Sequence, residues 1–131
     1  MNNLDILIKE KFVPFRNRLV DAAANKHPYL VSMVNTMLSG NDNMVGMRVT
    51  DESGRVEGEY TFKLNGARIS GVESGVLKSE IHHPFFGTLK PYVTVKESVL
   101  EKMLEDEESF AGDPFGTIKK YLPGLEIKFM N

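Results

Sequence analysis

Apolar residues recur at helical spacing through the start of the chain. Leu4, Leu7, Ile8, Phe12, Phe15, Leu19 and Val20 share one side of a helix over 4–24, with Lys9, Arg16 and Asp21 left outside. Pro14 falls within this run, and a ring without an N–H is expected to kink or split the helix there. A second helix is expected to begin at Pro28, bury Leu30, Val31, Met33, Val34, Met37 and Leu38, and stop at Gly40, with Gly40 to Asn43 forming the turn.

From Met44 the spacing becomes alternate. Val56, Gly58, Tyr60, Phe62 and Leu64 fall on one face of a strand, and Glu57, Glu59, Thr61 and Lys63 on the other. Asn65-Gly66 reads as a type I′ hairpin turn that sets Leu64 opposite Ala67 and Phe62 opposite Ile69. A loop at Asp51 to Gly54 pairs Thr50 with Arg55, so that Val49 meets Val56, Val45 meets Tyr60, and Arg48 faces Glu57 on the polar side. A further loop, Glu73-Ser74-Gly75, pairs Ala67 with Ile81 and Arg68 with Glu80. Together these turns predict an antiparallel meander of strands over 44–50, 55–64, 67–73 and 76–82, apolar on one face.

An apolar sheet face needs a cover, and the N-terminal helical pair is the cover at hand. The fold class expected is α+β, a single domain over 1–131. Residues 1–40 form a helical cover, and 44–131 form an antiparallel sheet of five to six strands with two further short helices. The later elements are a strand over Tyr92 to Val95, then a helix capped by Ser98 with Val99, Leu100, Met103 and Leu104 inward. Glu105 to Glu108 read as a solvated helix end. Asp113-Pro114 opens a short helix with Phe115, Ile118 and Leu122 on one side, stopped by Pro123-Gly124. Leu125, Ile127 and Phe129 alternate with Glu126 and Lys128 in a closing strand.

The 131 residues are 41% hydrophobic and 26% charged, ordinary for a globular chain. Sixteen basic against eighteen acidic residues give a net charge of −2, which argues against a nucleic-acid partner held by phosphate neutralisation. The chain has no Cys, so disulfides, thiol nucleophiles and thiolate metal sites are excluded, and a reducing, cytoplasmic setting is expected. Asp5, Lys9, Glu10 and Lys11 interrupt the N-terminal apolar residues, so no signal peptide is read, and no apolar run is long enough to span a membrane.

Catalytic signals are missing. The Gly-x-Ser-x-Gly elbow, the phosphate-binding Gly-rich loops and the calcium-loop order do not occur, so no catalytic residue, cofactor or metal is assigned. Neighbours on a strand point to opposite faces, so His82 and His83 read as a strand-end pair rather than a chelate, with proton transfer at His83 the alternative.

Soft apolar bulk is plentiful, with seven Met, eight Phe and no Trp. Such side chains fill cores, and they also line adaptable apolar pockets. Cavity candidates are Met33 and Met37 on the second helix, Tyr60 and Phe62 on the sheet, and Met103, Leu104, Phe110, Phe115 and Ile118 in the later helices. Phe85 and Phe86, between Pro84 and Gly87, cannot both face inward, so one is expected at a pocket mouth or partner surface.

The order of elements resembles the sterol carrier protein (SCP-type) lipid-binding domain family. The closest local likeness is Tyr92 to Glu105, an alternating strand passing into an amphipathic helix, followed by Gly112-Asp113-Pro114 to Met130, a proline-started helix and last strand. The likeness spans about residues 44–131. It implies non-catalytic binding of a fatty acyl chain, sterol or similar apolar molecule between sheet and helices, with Met103, Leu104, Phe110, Phe115 and Ile118 at matching positions. The chain departs from the pattern in its two N-terminal helices, an added arm over Val76 to Lys90, and a short closing strand. The alternative expectation is a homodimeric interaction module with a filled core, joined through a sheet edge or the Phe85-Phe86 arm.

Overall fold

The computed structural model describes residues 3–38, 42–83 and 85–130, without the side chain of Phe115. The expected stop at Gly40 and part of its turn lie outside the described residues. The helix over 3–26 runs as α1 (Asn3–Ile6), a π-helical segment (Leu7–Phe12) and α2 (Val13–Lys26). The helical run continues through Pro14 without a break. The wide turns before Pro14 already bond Val13 N–H to the Ile8 carbonyl, five residues back, and this geometry accommodates a ring without an N–H. After His27 comes α3 (Pro28–Leu38).

Among the described residues seven strands follow in two sheets. The main sheet is mixed, in the order β3 (Arg68–Ser74), β2 (Val56–Asn65), β1 (Met44–Thr50), β6 (Pro91–Lys96), β7 (Leu125–Phe129). Among the described residues its only parallel pair is β1 with β6; a separate small hairpin joins β4 (Ile81–His83) to β5 (Gly87–Leu89). Between β6 and β7 lie α4 (Glu97–Glu105), α5 (Glu107–Gly112) and α6 (Pro114–Ile118), the last ending in a 3-10 turn, Lys119–Tyr121.

The expected meander of four strands is therefore corrected, because β3 is an edge and its expected neighbour leaves the sheet. Gly75, at φ +86, gives its N–H to the Glu59 carbonyl and ends the strand. Residues 76–79 then cross the opposite face as a strap. Thr61 donates to the Val76 carbonyl at 2.8 Å and accepts from Lys78 N–H at 3.0 Å, Ser79 donates to the Pro91 carbonyl, and Glu80 bridges to Met44. Gly46 makes room for this strap, since a Cβ there would lie 2.6 Å from Leu77 Cδ1.

Register also differs from the sequence expectation. Tyr60 pairs with Met47 rather than Val45, and Arg48 meets Glu59, at 2.8 Å, rather than Glu57. The loop is one residue longer than expected, closed by Asp51 N–H to the Arg55 carbonyl, and a bulge adds a second step. At the next turn Asn65 pairs with Arg68, leaving Gly66 and Ala67 central, and only Gly66 takes a positive φ, so the turn has the II′ pattern rather than I′. A bulge between Lys63 and Leu64, with Ser70 the extra residue on β3, then brings Phe62 opposite Val72. The net shifts leave Val45, Met47, Val49, Tyr60 and Phe62 on the expected apolar face.

That face carries the core. Leu4, Ile8, Phe12 and Phe15 from the N-terminal helix, and Leu100, Met103 and Phe110 from α4 and α5, pack against Met47, Val49, Tyr60, Phe62, Ile69 and Val95. Phe12 stacks obliquely on Phe62 at 5.5 Å, and Phe15 meets Phe110 edge-on at 5.8 Å.

The expectation that α3 buries its apolar residues is overturned. No described residue of α3 is buried, and Leu30, Met33 and Met37 are exposed. The chain turns at His27, and α3 is held at the end of the sheet by polar ties. Asn35 Oδ1 accepts from Ala67 N–H at 2.8 Å, and Asn43 donates its amide to the Leu38 carbonyl at 2.8 Å.

Candidate functional site

The cavity candidates separate into two groups. Tyr60, Phe62, Met103 and Phe110 are buried in the core, and Leu104 and Ile118 pack partly buried against it. Tyr60 is fixed twice, by its packing and by its hydroxyl, which donates to Asp5 Oδ1 at 2.6 Å. Burial, reinforced by that carboxylate, pushes the phenol well above its ordinary range. Met33, Met37, Phe85 and Phe86 all face solvent, away from this cluster. The side chain of Phe115 lies outside the described residues.

The exposed group marks one end of the molecule. Helix α3 carries no charged residue, yet Tyr29 is 91% exposed and Met33 56%. Helix α3 packs against α2 and against β4, whose His82 N–H is held by Asn43 Oδ1 at 2.8 Å. The hairpin that follows ends in Phe85 and Phe86. His83 ends β4 and braces that turn: its Nδ1 accepts from the N–H of Phe85 at 3.0 Å and of Phe86 at 3.2 Å, and its ring lies 4.6 Å from that of Phe86. His82 sits 3.9 Å from Glu80 and 3.3 Å from the Thr88 hydroxyl. Among the described residues no group of three or more His, Asp or Glu is placed to hold a metal ion.

Between α2 and α3 runs an open groove of about 440 Å³, lined by Ala24, Pro28, Val31, Ser32, Asn35 and Thr36. Its walls are apolar at Ala24, Pro28 and Val31. Ser32 and Asn35 add polar groups, the combination that orients an amphipathic guest. None of these residues was singled out for a ligand in the sequence. The missed signal is the spacing of Ala24, Pro28, Val31 and Asn35, three or four residues apart, which sets them along one side of the helical run that passes through His27.

A second cluster lies at the opposite end of the sheet, near Asp5 and Tyr60. Glu97, at the start of α4, is pushed up to about 7, chiefly by a hydrogen bond with Glu57, then by burial and by the charges of Glu57 and Glu101. Ser98, expected to cap α4, instead donates to Glu52, and Lys96 holds the capping position. Asp113 does cap α6, accepting from Gly116 N–H at 3.1 Å.

Comparison with family models and with characterised proteins finds no match. Solved structures do match weakly. Sterol carrier protein 2 from Yarrowia lipolytica, in its apo form, is 14% identical, with 89% of this chain and 81% of that one covered and a TM-score of 0.40. A conserved hypothetical protein from Thermus thermophilus, described as possibly a sterol carrier protein, is 10% identical over 92% and 70%, at 0.43. The palmitated sterol carrier protein 2-like 2 of Aedes aegypti is 17% identical over 92% and 81%, at 0.37. The chain thus bears a weak sterol carrier protein-like resemblance, and no residue role is carried over from it. No helix among the described residues is long and apolar enough to cross a membrane.

Proposed function

We propose that the protein binds an apolar or amphipathic small molecule, of fatty acyl or sterol-like character, without chemistry on it. The observation that carries this reading is α3, an uncharged helix that contributes no buried residue and forms one wall of an open groove. An apolar helix left outside the core costs solvation free energy that a bound guest recovers, at about 0.8 kcal/mol per buried methylene. The acyl portion would lie along Ala24, Pro28 and Val31, with its polar end toward Ser32 and Asn35. The buried Tyr60, Phe62, Met103 and Phe110 would form the floor beneath the helices rather than touch the ligand. Leu104 and Ile118 would belong to that same support, and Met33, Met37, Phe85 and Phe86 to the apolar surface around the entry.

Titration with a fluorescent fatty acid tests this. Saturable binding is expected, weakened at least about tenfold by Val31→Asp, since a carboxylate on the groove wall must be desolvated. Absence of saturable binding up to the solubility of the probe, or equal binding by Val31→Asp, would refute the groove.

A further inference from the structure

The two edges of the main sheet are finished differently. On β3 the side chain of Asn17 donates to the Ile69 carbonyl at 2.9 Å and accepts from its N–H at 2.8 Å, while Arg16 donates to the Ala67 carbonyl at 2.9 Å. That edge is capped by α2. Strand β7, at the other edge, pairs only with β6 among the described residues. A bare edge strand is a template for a further strand.

The hydrogen-bond phase of β7 can be read directly. Lys96 N–H bonds the Gly124 carbonyl at 3.1 Å, and Met130 N–H bonds the Lys90 carbonyl at 2.9 Å, just beyond the two ends of an unbroken register. Even-numbered residues therefore turn their backbone groups toward β6. Leu125, Ile127 and Phe129 turn theirs to the open edge. Their side chains share the face of Val93 and Val95, yet Ile127 and Phe129 are each 66% exposed. Glu126 and Lys128 lie on the other face and have no ion-pair partner among the described residues.

We propose that the partner of this edge is a second copy of the chain, with β7 pairing antiparallel to β7 about a two-fold axis at Ile127. Outward-facing residues must oppose one another, which restricts the central registers to axes at residue 126, 127 or 128. An axis at 126 sets Glu126 against Glu126 of the second copy, and one at 128 sets Lys128 against Lys128, both repulsive. The axis at 127 places Glu126 opposite Lys128 twice over. It also sets Leu125 opposite Phe129 and Ile127 opposite itself, so one strand supplies matched hydrogen bonds, matched charges and a continuous apolar strip. Isologous pairing of this kind closes with two copies and leaves no further β7 edge. This inference rests on strand geometry and is independent of any ligand in the α3 groove.

Sedimentation velocity over a concentration series, on the full chain without ligand, tests it. Dimerisation is expected in the micromolar range, weakened about tenfold by Glu126→Lys or by Lys128→Glu and restored in the double swap, because the swap re-forms both pairs. A second measurement fixes the register. The chain has no cysteine, so Ile127→Cys introduces a single thiol whose counterpart lies about 5.5 Å away between Cα atoms, within disulfide reach. It should cross-link under mild oxidation, and Leu125→Cys should not. A wild type that stays monomeric at every concentration, or a dimer indifferent to both charge reversals, would overturn the proposal. So would cross-linking at 125 instead of 127.

Discussion

Replacing Asn17 by Ala removes a side-chain amide that behaves as a substitute strand for β3. It accepts from Ile69 N–H and donates to the Ile69 carbonyl, at 2.8 and 2.9 Å, beside an Ile69 side chain that is buried in the core. A hydrogen bond of this kind contributes about 1 kcal/mol net, and leaving a partly buried partner unsatisfied costs about 1–3 kcal/mol. Water reaches this edge in part, so the loss expected for the pair is about 2 kcal/mol. Urea unfolding followed by circular dichroism measures it as a lower midpoint with an unchanged slope. Hydrogen exchange should show the Ile69 amide losing protection ahead of Val49 and Tyr60. Asn17→Asp supplies a sharper signature. Its carboxylate keeps the acceptor for Ile69 N–H but faces the Ile69 carbonyl without a proton. The folded form then favours the protonated acid, so the variant should regain stability as pH falls toward the carboxyl range. A midpoint for Asn17→Ala within about 0.5 kcal/mol of wild type, the range of ordinary surface changes, would refute the reasoning.

Gly46→Ala should destabilise by about 1–3 kcal/mol through overpacking, because the new methyl would meet Leu77 and the Lys78 carbonyl of the strap; a thermal melt equal to wild type would show that the strap moves aside freely. Glu97, pushed up to about 7 from an ordinary 4.5, holds more protons folded than unfolded between those values. Its contribution is present below about 4.5 and lost as pH rises through about 7, so Glu97→Gln should narrow the difference between urea midpoints at pH 5 and pH 8. An unaltered difference would mean that the Glu57 contact does not hold the proton.

Much of the sheet was legible because strand side chains repeat every two residues. From turn chemistry alone the loop after Thr50 reads one residue short and the bulge leaves no signal, yet the combined shift is two positions, so Tyr60 and Phe62 stay on the apolar face. The departure of β4 was not legible in turn chemistry. Its signal was Gly46, a glycine in mid-strand that admits a crossing backbone, together with Thr61, whose hydroxyl supplies two of the strap's hydrogen bonds. For the candidate site, amphipathic spacing told which residues of α3 are apolar and could not tell whether anything covers them. Polar anchors decided that: Asn35 and Asn43 tie α3 to the end of the sheet instead of laying it across the face.

What the sequence by itself determined is local. Helix and strand periods, the apolar sheet face, the Asp113 cap and the closing alternation of β7 all follow from neighbouring residues, since each depends on backbone geometry over a few positions. Only the tertiary structure decided the parallel pairing of β1 with β6, the strap, the exposed α3 with its groove, and the contrast between a capped edge and a bare one. Those depend on contacts between segments tens of residues apart, where many arrangements bury similar apolar area. Buried polar groups such as Asn43 and Thr61 select among them, because each must find a partner.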